Sequence, residues 1–260
     1  MRVGGAVLGL WLVVLTSLVA PSLAAEEAPV VPLPAKLAKE LQPLGAGVVG
    51  AALAAHPITD PSRLRHVDPG VWVYEVVEGP RDGQREQVTV SKEGRTDEGE
   101  NVKLVFGSSG EVQHLEVRYD HVVAKRSQLD AGSNRRVVYR PGLVLEPRMQ
   151  VGETKQVQTD LSTYRGAEVS KVEYDGQVDY STTYVGAYRV TTPAGKFETR
   201  LLVHEYEMNI GPARAHYRSL GFYAEGVGMV AEVSNEKVTA LLLYRRSDRS
   251  ARVLVELPDS

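Results

Sequence analysis

From Val71 to the C-terminus, apolar and polar residues alternate with a period of two, and this pattern constrains the fold more than any other feature of the chain. No stretch of this region shows the three-to-four-residue spacing of an amphipathic helix. The alternating runs are short, and turn sequences such as Asp175-Gly176 and Pro193-Ala194-Gly195 separate them. Because such connections are too short for parallel crossovers, the pattern predicts an antiparallel meander. The predicted strands are 71–77, 86–91, 101–106, 111–119, 121–127, 135–139, 155–161, 168–174, 177–184, 186–191, 197–207, 213–224, 228–233, 238–245 and 251–257.

Two of the predicted strands are apolar on both faces. In 71–77, Trp72 and Tyr74 point to one face while Val73 points to the other, and 238–245 is nearly as apolar. A sheet with one solvated face does not need strands of this kind. We therefore expect a mainly β protein, with the meander rolled into an open or closed β-barrel and a short N-terminal helix covering one side.

The first two dozen residues have the composition of a secretory signal. Arg2 is the only charged residue before Glu26, and the apolar run 6–20 precedes the small-residue site Ser22-Leu23-Ala24. The run is shorter than the roughly 20 residues that span a bilayer. The sequence therefore predicts a signal peptide over 1–24, with an uncleaved N-terminal anchor as the alternative. The absence of Cys fits an exported bacterial protein, either periplasmic or secreted.

Residues 25–66 are predicted to be a linker with a short helical segment, followed by a single antiparallel β domain over 67–260. The stretch 26–34 is acidic and rich in Pro, and 35–41 contains helix formers. The apolar Gly/Ala-rich stretch 44–55 is expected to be a helix packed against the body, with a membrane-affine patch as the alternative.

Composition and motifs exclude several classes of function. The 260 residues carry 30 Lys+Arg and 33 Asp+Glu, a net charge of -3 that gives no electrostatic reason to expect a nucleic-acid partner. The sequence contains no H-E-x-x-H, no phosphate-binding glycine loop and no G-x-S-x-G. We expect no metal, no cofactor and no catalytic residue.

Arginines cluster near two of the predicted strands, where acids and Ser separate them. We interpret them as solvated strand ends, with peripheral contact to anionic lipid headgroups or an acidic polymer as the alternative. These residues are Arg135, Arg136, Arg140, Arg245, Arg246, Arg249 and Arg252.

The hairpin from Phe197 to Phe222 is the most polar. A four-residue turn over 209–212 would place Glu207 opposite Arg214 and Glu205 opposite His216 on one face. The Glu/His pair is compatible with acid/base catalysis by a hydrolase. A cross-strand ladder of opposite charges on a solvent face is the interpretation that we favour. His204, Tyr206, Met208 and Tyr217 fall on the other face, which we expect to be core or pocket lining.

Two segments resemble motifs of a large group of exported bacterial proteins of unknown function. Residues 190–199 (VTTPAGKFET) are similar to the group's V-T-V-P-A-G-T-F hairpin, and 222–230 (FYAEGVGMV) to its W-Y-A-P-G-V-G-L-V segment. Residues 147–154 and 70–74 are similar to two weaker motifs of the same group. Thr154 stands where the group has Trp, and Glu225 where it has Pro.

The resemblance spans about residues 67 to 246, and it implies a signal peptide followed by an antiparallel β-roll or open barrel. It implies no catalytic residues, because the motifs are turns and sheet corners. Pro193 and Gly195 are expected to form a tight turn, and Gly226 and Gly228 to allow a strand bend beside Val227.

The leading functional hypothesis is a non-catalytic exported protein whose rolled sheet binds or chaperones an apolar or amphipathic, lipid-like ligand of the cell envelope. The expected cavity lining is Trp72, Tyr74, Tyr206, Tyr217 and Tyr223, because tyrosine suits an amphipathic surface. Two alternatives remain open. One is a structural protein with a filled interior that contacts an envelope protein through edge strands or 44–55, and the other is the hydrolase built on Glu205, Glu207 and His216.

Overall fold

The fold is mainly β and antiparallel, as the alternation predicts. A computed structural model describes residues 27–146, 148–166, 170–240 and 244–258, so the predicted signal peptide lies outside the described residues. The elements are helix α1 (Ala35–Glu40), a first 3-10 helix (Gln42–Leu44), a second 3-10 helix (Pro61–Leu64), β1 (Val49–Leu53), β2 (Gly70–Glu78), β3 (Arg85–Arg95), β4 (Gly99–Phe106), β5 (Val112–Arg118), β6 (Val123–Asp130), β7 (Arg135–Glu146), β8 (Thr154–Arg165), β9 (Val172–Thr192), β10 (Gly195–Ile210), β11 (Ala213–Ala224), β12 (Gly228–Ala240) and β13 (Tyr244–Glu256).

Strands β2 to β13 form a closed barrel in chain order. Each strand pairs antiparallel with the next, and β13 pairs with β2 to close the ring of twelve. β1 lies outside the ring and pairs with the C-terminal half of β9. Closure satisfies the backbone groups that an open sheet would leave unpaired at its edges. None of the helices in the described ranges is long and apolar enough to cross a bilayer.

Several predicted strand boundaries are wrong, because a glycine or a polar pair inside a strand resembles a turn. The predicted strands 168–174, 177–184 and 186–191 belong, where described, to one long strand, β9. Gly176 lies inside this strand, and a Cβ there would overlap the backbone of Asn209 on β10. A glycine at this position therefore allows two strands to approach closely and does not make a hairpin. Likewise, Ser234 lies within β12 and is paired on both sides. The predicted strand 238–245 is also wrong, since β12 ends at Ala240 and β13 begins at Tyr244.

The predicted helix over 44–55 is also wrong. This stretch contains the end of the first 3-10 helix and strand β1. Gly47 lies between the two elements with a φ of 82°, a left-handed conformation that does not continue a helix. The β-branched pair Val48-Val49 then favours extended backbone.

The N-terminal helices cover the outer wall of the barrel, which explains why some strands are apolar on both faces. Leu37, Leu41 and Leu44 are buried, and the first 3-10 helix contacts β12, β13 and β2. Beneath them lie outward-facing residues such as Leu220 and Val233, which are buried as well.

Residues 54–66, here called the plug, close one end of the barrel. The Ile58 amide donates to the Met149 carbonyl over 2.8 Å, and the Tyr184 hydroxyl on β9 donates to the His56 carbonyl over 3.0 Å. On another side of the ring, the Gly226 amide donates to the Arg63 carbonyl over 2.8 Å. Because these partners belong to separate strands and turns, the plug is fixed across the barrel end.

Candidate ligand cavity

The barrel encloses a cavity of about 490 Å³. Arg65 and His66 of the plug line its floor, and it extends to Arg81 and Ser109 in the turns of the other end. Small barrels are usually filled by inward-facing side chains. Here many inward positions carry Tyr, Ser, Glu or Arg, so part of the interior is a polar lumen that lies beside the apolar core.

His204 on β10 lies at the centre of a buried hydrogen-bond network. Its Nδ1 is 2.8 Å from the Tyr180 hydroxyl and 3.2 Å from the Thr182 hydroxyl, and its Nε2 is 3.2 Å from the Tyr223 hydroxyl. Both the Tyr180 and the Thr182 hydroxyl donate to the Leu145 carbonyl, over 2.9 and 3.2 Å. Since a hydroxyl has one proton to donate, Nδ1 carries the imidazole proton and Nε2 accepts from Tyr223.

A second imidazole, His66, joins the plug to the barrel wall. Its Nε2 lies 2.5 Å from the Tyr74 hydroxyl, which donates to the Met229 carbonyl over 2.7 Å. Burial and the neighbouring Arg65 lower the pKa of His66 to about 3. Burial, followed by Arg65, also holds the pKa of His204 well below 6.5. Both imidazoles are therefore neutral at pH 7.

A compensated cluster of charges lines one side of the lumen, on the nearby strands β12, β13 and β3. The Arg252 guanidinium donates to Glu86 over 2.9 Å and to Glu232 over 2.8 Å. Arg81 and the Ser108 hydroxyl also donate to Glu86, over 2.9 and 2.7 Å. Burial opposes ionisation of Glu86, but Arg252, Ser108 and Arg81 hold its pKa below the usual range. Glu86 therefore remains charged, and both carboxylates of the cluster are paired with Arg252.

Two stacked tyrosines lie nearer the open end. The rings of Tyr206 and Tyr217, paired across β10 and β11, have centroids 4.8 Å apart and planes 14° apart. The Tyr217 hydroxyl donates to Glu232 over 3.2 Å. Burial raises the pKa of both hydroxyls well above 10, so they remain protonated donors.

Acidic side chains dominate the far part of the cavity. Glu111, Asp130, Glu236 and Asp248 line it together with Arg246. Burial raises the pKa of Glu236; Arg246 opposes this rise, and the neighbouring carboxylates add to it. Within the described ranges, no group of three or more His, Cys, Asp or Glu is placed to hold a metal ion.

The structure brings together four of the five side chains expected to line a pocket. Tyr74, Tyr206, Tyr217 and Tyr223 all line the cavity. Trp72 does not line it, because its ring packs beneath His66 with centroids 4.4 Å apart.

The buried charge cluster around Arg252 does not follow from the motifs or the composition of the chain. Arg252 was assigned to a solvated strand end, and this is wrong, since it lies inside the barrel. Its position is two residues from Ser250 and four from Asp248 on an alternating strand, so period-two parity could have placed all three on the inner face.

The predicted turn residues all lie at turns. Thr192 pairs with Gly195 around the loop of Pro193 and Ala194, and Gly195 has φ of 142°. Gly226 and Gly228, with φ of 74° and 89°, flank the connection from β11 to β12.

The predicted register of the polar hairpin is wrong by two residues. Only Gly211 and Pro212 form the turn, so Glu207 pairs with His216 and Glu205 pairs with Arg218. Because the shift is even, every side chain keeps its predicted face. Glu207 and His216 are exposed on the outside of the barrel, away from the cavity.

No family model matches the chain, and no curated protein matches it. A crystal structure from Bacteroides fragilis, described as an exported protein with a YmcC-like fold, is similar with a TM-score of 0.42 and 12% identity, over 75% of this chain and 99% of that one. A lipoprotein structure from Parabacteroides distasonis is similar with a TM-score of 0.31 and 12% identity, over 75% of this chain and 97% of that one.

Proposed function

We propose that this chain is an exported bacterial binding protein, without catalytic activity, that holds an apolar or amphipathic envelope ligand inside its barrel. The observation that carries the proposal is the cavity of about 490 Å³ on the barrel axis. Pockets for small molecules have volumes of roughly 300–1,000 Å³. A void of this size does not match the alternative of a filled interior.

The lining supports binding rather than chemistry. The two imidazoles are neutral and held by hydroxyl groups, and the buried carboxylates are paired with arginine. The Glu/His pair considered as a hydrolase site lies outside the cavity. Tyrosine rings and aliphatic side chains line the same lumen, which suits a ligand with both apolar and polar surface.

Native mass spectrometry of the protein purified from its own host tests this proposal. We expect a bound small molecule that is lost in Ser234→Phe, because Ser234 lines the cavity and the larger ring would fill it. The matched control is Ser247→Phe on β13, where the side chain is exposed on the outside. A wild-type protein that carries no bound mass, and gains no thermal stability from an envelope lipid extract, would contradict the proposal.

A further inference from the structure

One row of side chains on the inner wall of the barrel combines aromatic rings with carboxylates. Tyr206 on β10 pairs directly with Tyr217 on β11, and Tyr217 pairs with Glu236 on β12. Glu236 in turn pairs with Asp248 on β13. All four line the cavity, and we call them the tyrosine–carboxylate row. Because directly paired residues point to the same face of a sheet, two aromatic rings and two carboxylates lie side by side in the lumen.

The negative charge of this row is only partly compensated by the protein. Asp248 forms an ion pair with Arg246. Glu236 has no hydrogen bond and no ion pair within the ranges that the structure describes. Like charges directly opposite each other on neighbouring strands destabilise a sheet, so Glu236 and Asp248 would gain from a cation bound beside them.

Two more carboxylates face the row from the other side of the lumen. Glu111 directly precedes β5 and Asp130 ends β6, and in a closed ring of twelve these strands lie across from β11 and β12. Burial raises the pKa of Glu236; Arg246 opposes this rise, and the two carboxylates add to it together with Asp248. The open end of the lumen is therefore a region of negative potential that would attract a cation.

A buried tyrosine hydroxyl beside this region also has its hydrogen-bonding capacity unused. Tyr139 on β7 is 5% exposed, and among the described residues no hydrogen bond reaches its hydroxyl. Burial and the nearby Glu111 raise the pKa of this hydroxyl, and Tyr139 contributes to the raised pKa of Tyr206. The hydroxyl thus lies close to Glu111 and Tyr206. Because buried polar groups are normally hydrogen-bonded, a ligand group that donates to the Tyr139 oxygen would complete the site.

The other basic side chains of the lining act elsewhere in the cavity. Burial lowers the pKa of His204, and Arg65 and Lys125 lower it further, so both of these charges lie towards the floor. Neither is among the charges that act on Glu236. Arg252 is already bound by two carboxylates. A cationic group is therefore repelled at the floor and attracted at the tyrosine–carboxylate row, which gives such a ligand a single orientation.

We propose that the ligand is an amphipathic amine whose protonated amino group binds at the tyrosine–carboxylate row. The ammonium group would donate hydrogen bonds to Glu236, to Glu111 and to the Tyr139 oxygen, and its charge would lie beside the Tyr206 and Tyr217 rings. Its hydrocarbon part would contact the aliphatic and Phe side chains of the lining. This inference rests on the proposed binding function and narrows it to cationic ligands.

Four small probes test the charge preference with the full-length protein at pH 7, with affinities measured by titration calorimetry. Octylammonium carries the cation on a short chain, 1-octanol replaces the cation with a neutral hydroxyl group, octanoate replaces it with an anion, and ethylammonium lacks the chain. We expect octylammonium to bind roughly tenfold more tightly than 1-octanol, because rings and carboxylates stabilise a cation more than a hydroxyl group. Octanoate should bind more weakly than 1-octanol, and ethylammonium more weakly than octylammonium because it buries little hydrocarbon.

A matched pair of variants assigns this preference to the row. Glu236→Gln should bring octylammonium down to about the affinity of 1-octanol and leave the affinity for 1-octanol unchanged. Since the substitution removes a repelled charge, it should not lower stability in urea denaturation, so the lost affinity would not reflect unfolding. Glu207→Gln makes the same change on the exposed outer face of β10 and should keep the preference.

The outcomes separate this inference from the binding function. If 1-octanol or octanoate binds as tightly as octylammonium, or if Glu236→Gln keeps the preference, the inference of a cationic ligand is wrong while the binding function stands. If ethylammonium binds as tightly as octylammonium, the ligand is a small free amine and its proposed amphipathic character is wrong. If no probe binds and host-purified protein carries no bound mass, the binding function itself is wrong.

Discussion

At Gly228 the backbone of the barrel wall lies directly against His66 of the plug. Its φ of 89° lies in the left-handed region, and a Cβ there would overlap Nδ1 of His66. The His66 ring is buried against Trp72 and bonded to the Tyr74 hydroxyl, so its displacement would break these contacts. Gly226, two residues earlier, has a φ of 74° but nothing within 4 Å of its Cβ position.

These two glycines give a matched pair of variants. Gly226→Ala should lower the free energy of unfolding by about 1 kcal/mol, which is the cost of a left-handed Ala. Gly228→Ala should cost roughly 3 kcal/mol or more, because displacement of a buried ring adds to the same backbone cost. Urea denaturation measures both. If the two variants lose the same free energy of unfolding, the His66 ring moves aside at little cost and its close contact with Gly228 contributes little to stability.

At the same scale, the sequence indicated some of the site. Alternation placed Tyr206, Tyr217 and His204 on one face, and parity on β2 placed Tyr74 inside. Trp72 shares that parity but lies near the strand start, where the plug covers it with His66. The alternation along a strand predicts which face a side chain lies on, but it does not predict how far along the barrel axis the side chain lies. The sequence therefore could not distinguish Trp72, which the plug covers, from Tyr74, which lines the cavity.

At the scale of elements, hairpin turns with distinctive chemistry were predictable and long strands were not. Pro193-Ala194 and Gly211-Pro212 are true hairpin loops, whereas Gly176 is a close approach between strands. Glycine serves both purposes, and a local pattern does not distinguish them. The plug was missed for a different reason: it has little regular structure, and its contacts are distant in sequence.

The plug is expected to unfold together with the barrel. Leu64 is 1% exposed and belongs to the main hydrophobic core. Leu64→Ala should therefore lower the free energy of global unfolding by about 2–5 kcal/mol. Val30→Ala, at a position that is 58% exposed, should change it by less than about 0.5 kcal/mol. Matching losses by tryptophan fluorescence and far-UV circular dichroism would establish one cooperative unit; a loss in local protection alone would contradict this expectation.

At the scale of the whole molecule, a barrel of twelve strands encloses more volume than small-barrel side chains usually fill. The chain uses this volume for buried polar groups, and each must be neutral or paired. The imidazoles are neutral and the carboxylates of the Arg252 cluster are paired. The free energy of unfolding of the barrel should therefore depend on pH, because protonation of the buried groups in the lumen would change their charge.

The two buried imidazoles should make the fold sensitive to mild acid. An unfolded His binds a proton below about pH 6.5. In the folded protein, burial and Arg65 lower the pKa of His66 to about 3 and that of His204 well below 6.5. The unfolded state then binds more protons, so stability falls as the pH drops below 6.5. The loss per imidazole approaches about 1.4 kcal/mol per pH unit.

The buried carboxylates limit the pH range in which the effect of the two imidazoles can be measured. Glu86, whose pKa is lowered in the fold, loses its contribution only below its unfolded value of 4.5, and the raised pKa of Glu236 acts in the opposite direction. Urea denaturation between pH 7 and 5 should therefore show a steep slope in wild type. His66→Asn and His204→Asn should each remove about half of that slope, whatever they cost at pH 7. His216→Asn, on the exposed face of β11, should keep the full slope. If a variant that combines His66→Asn with His204→Asn keeps the wild-type slope, the acid sensitivity arises from groups other than these two imidazoles.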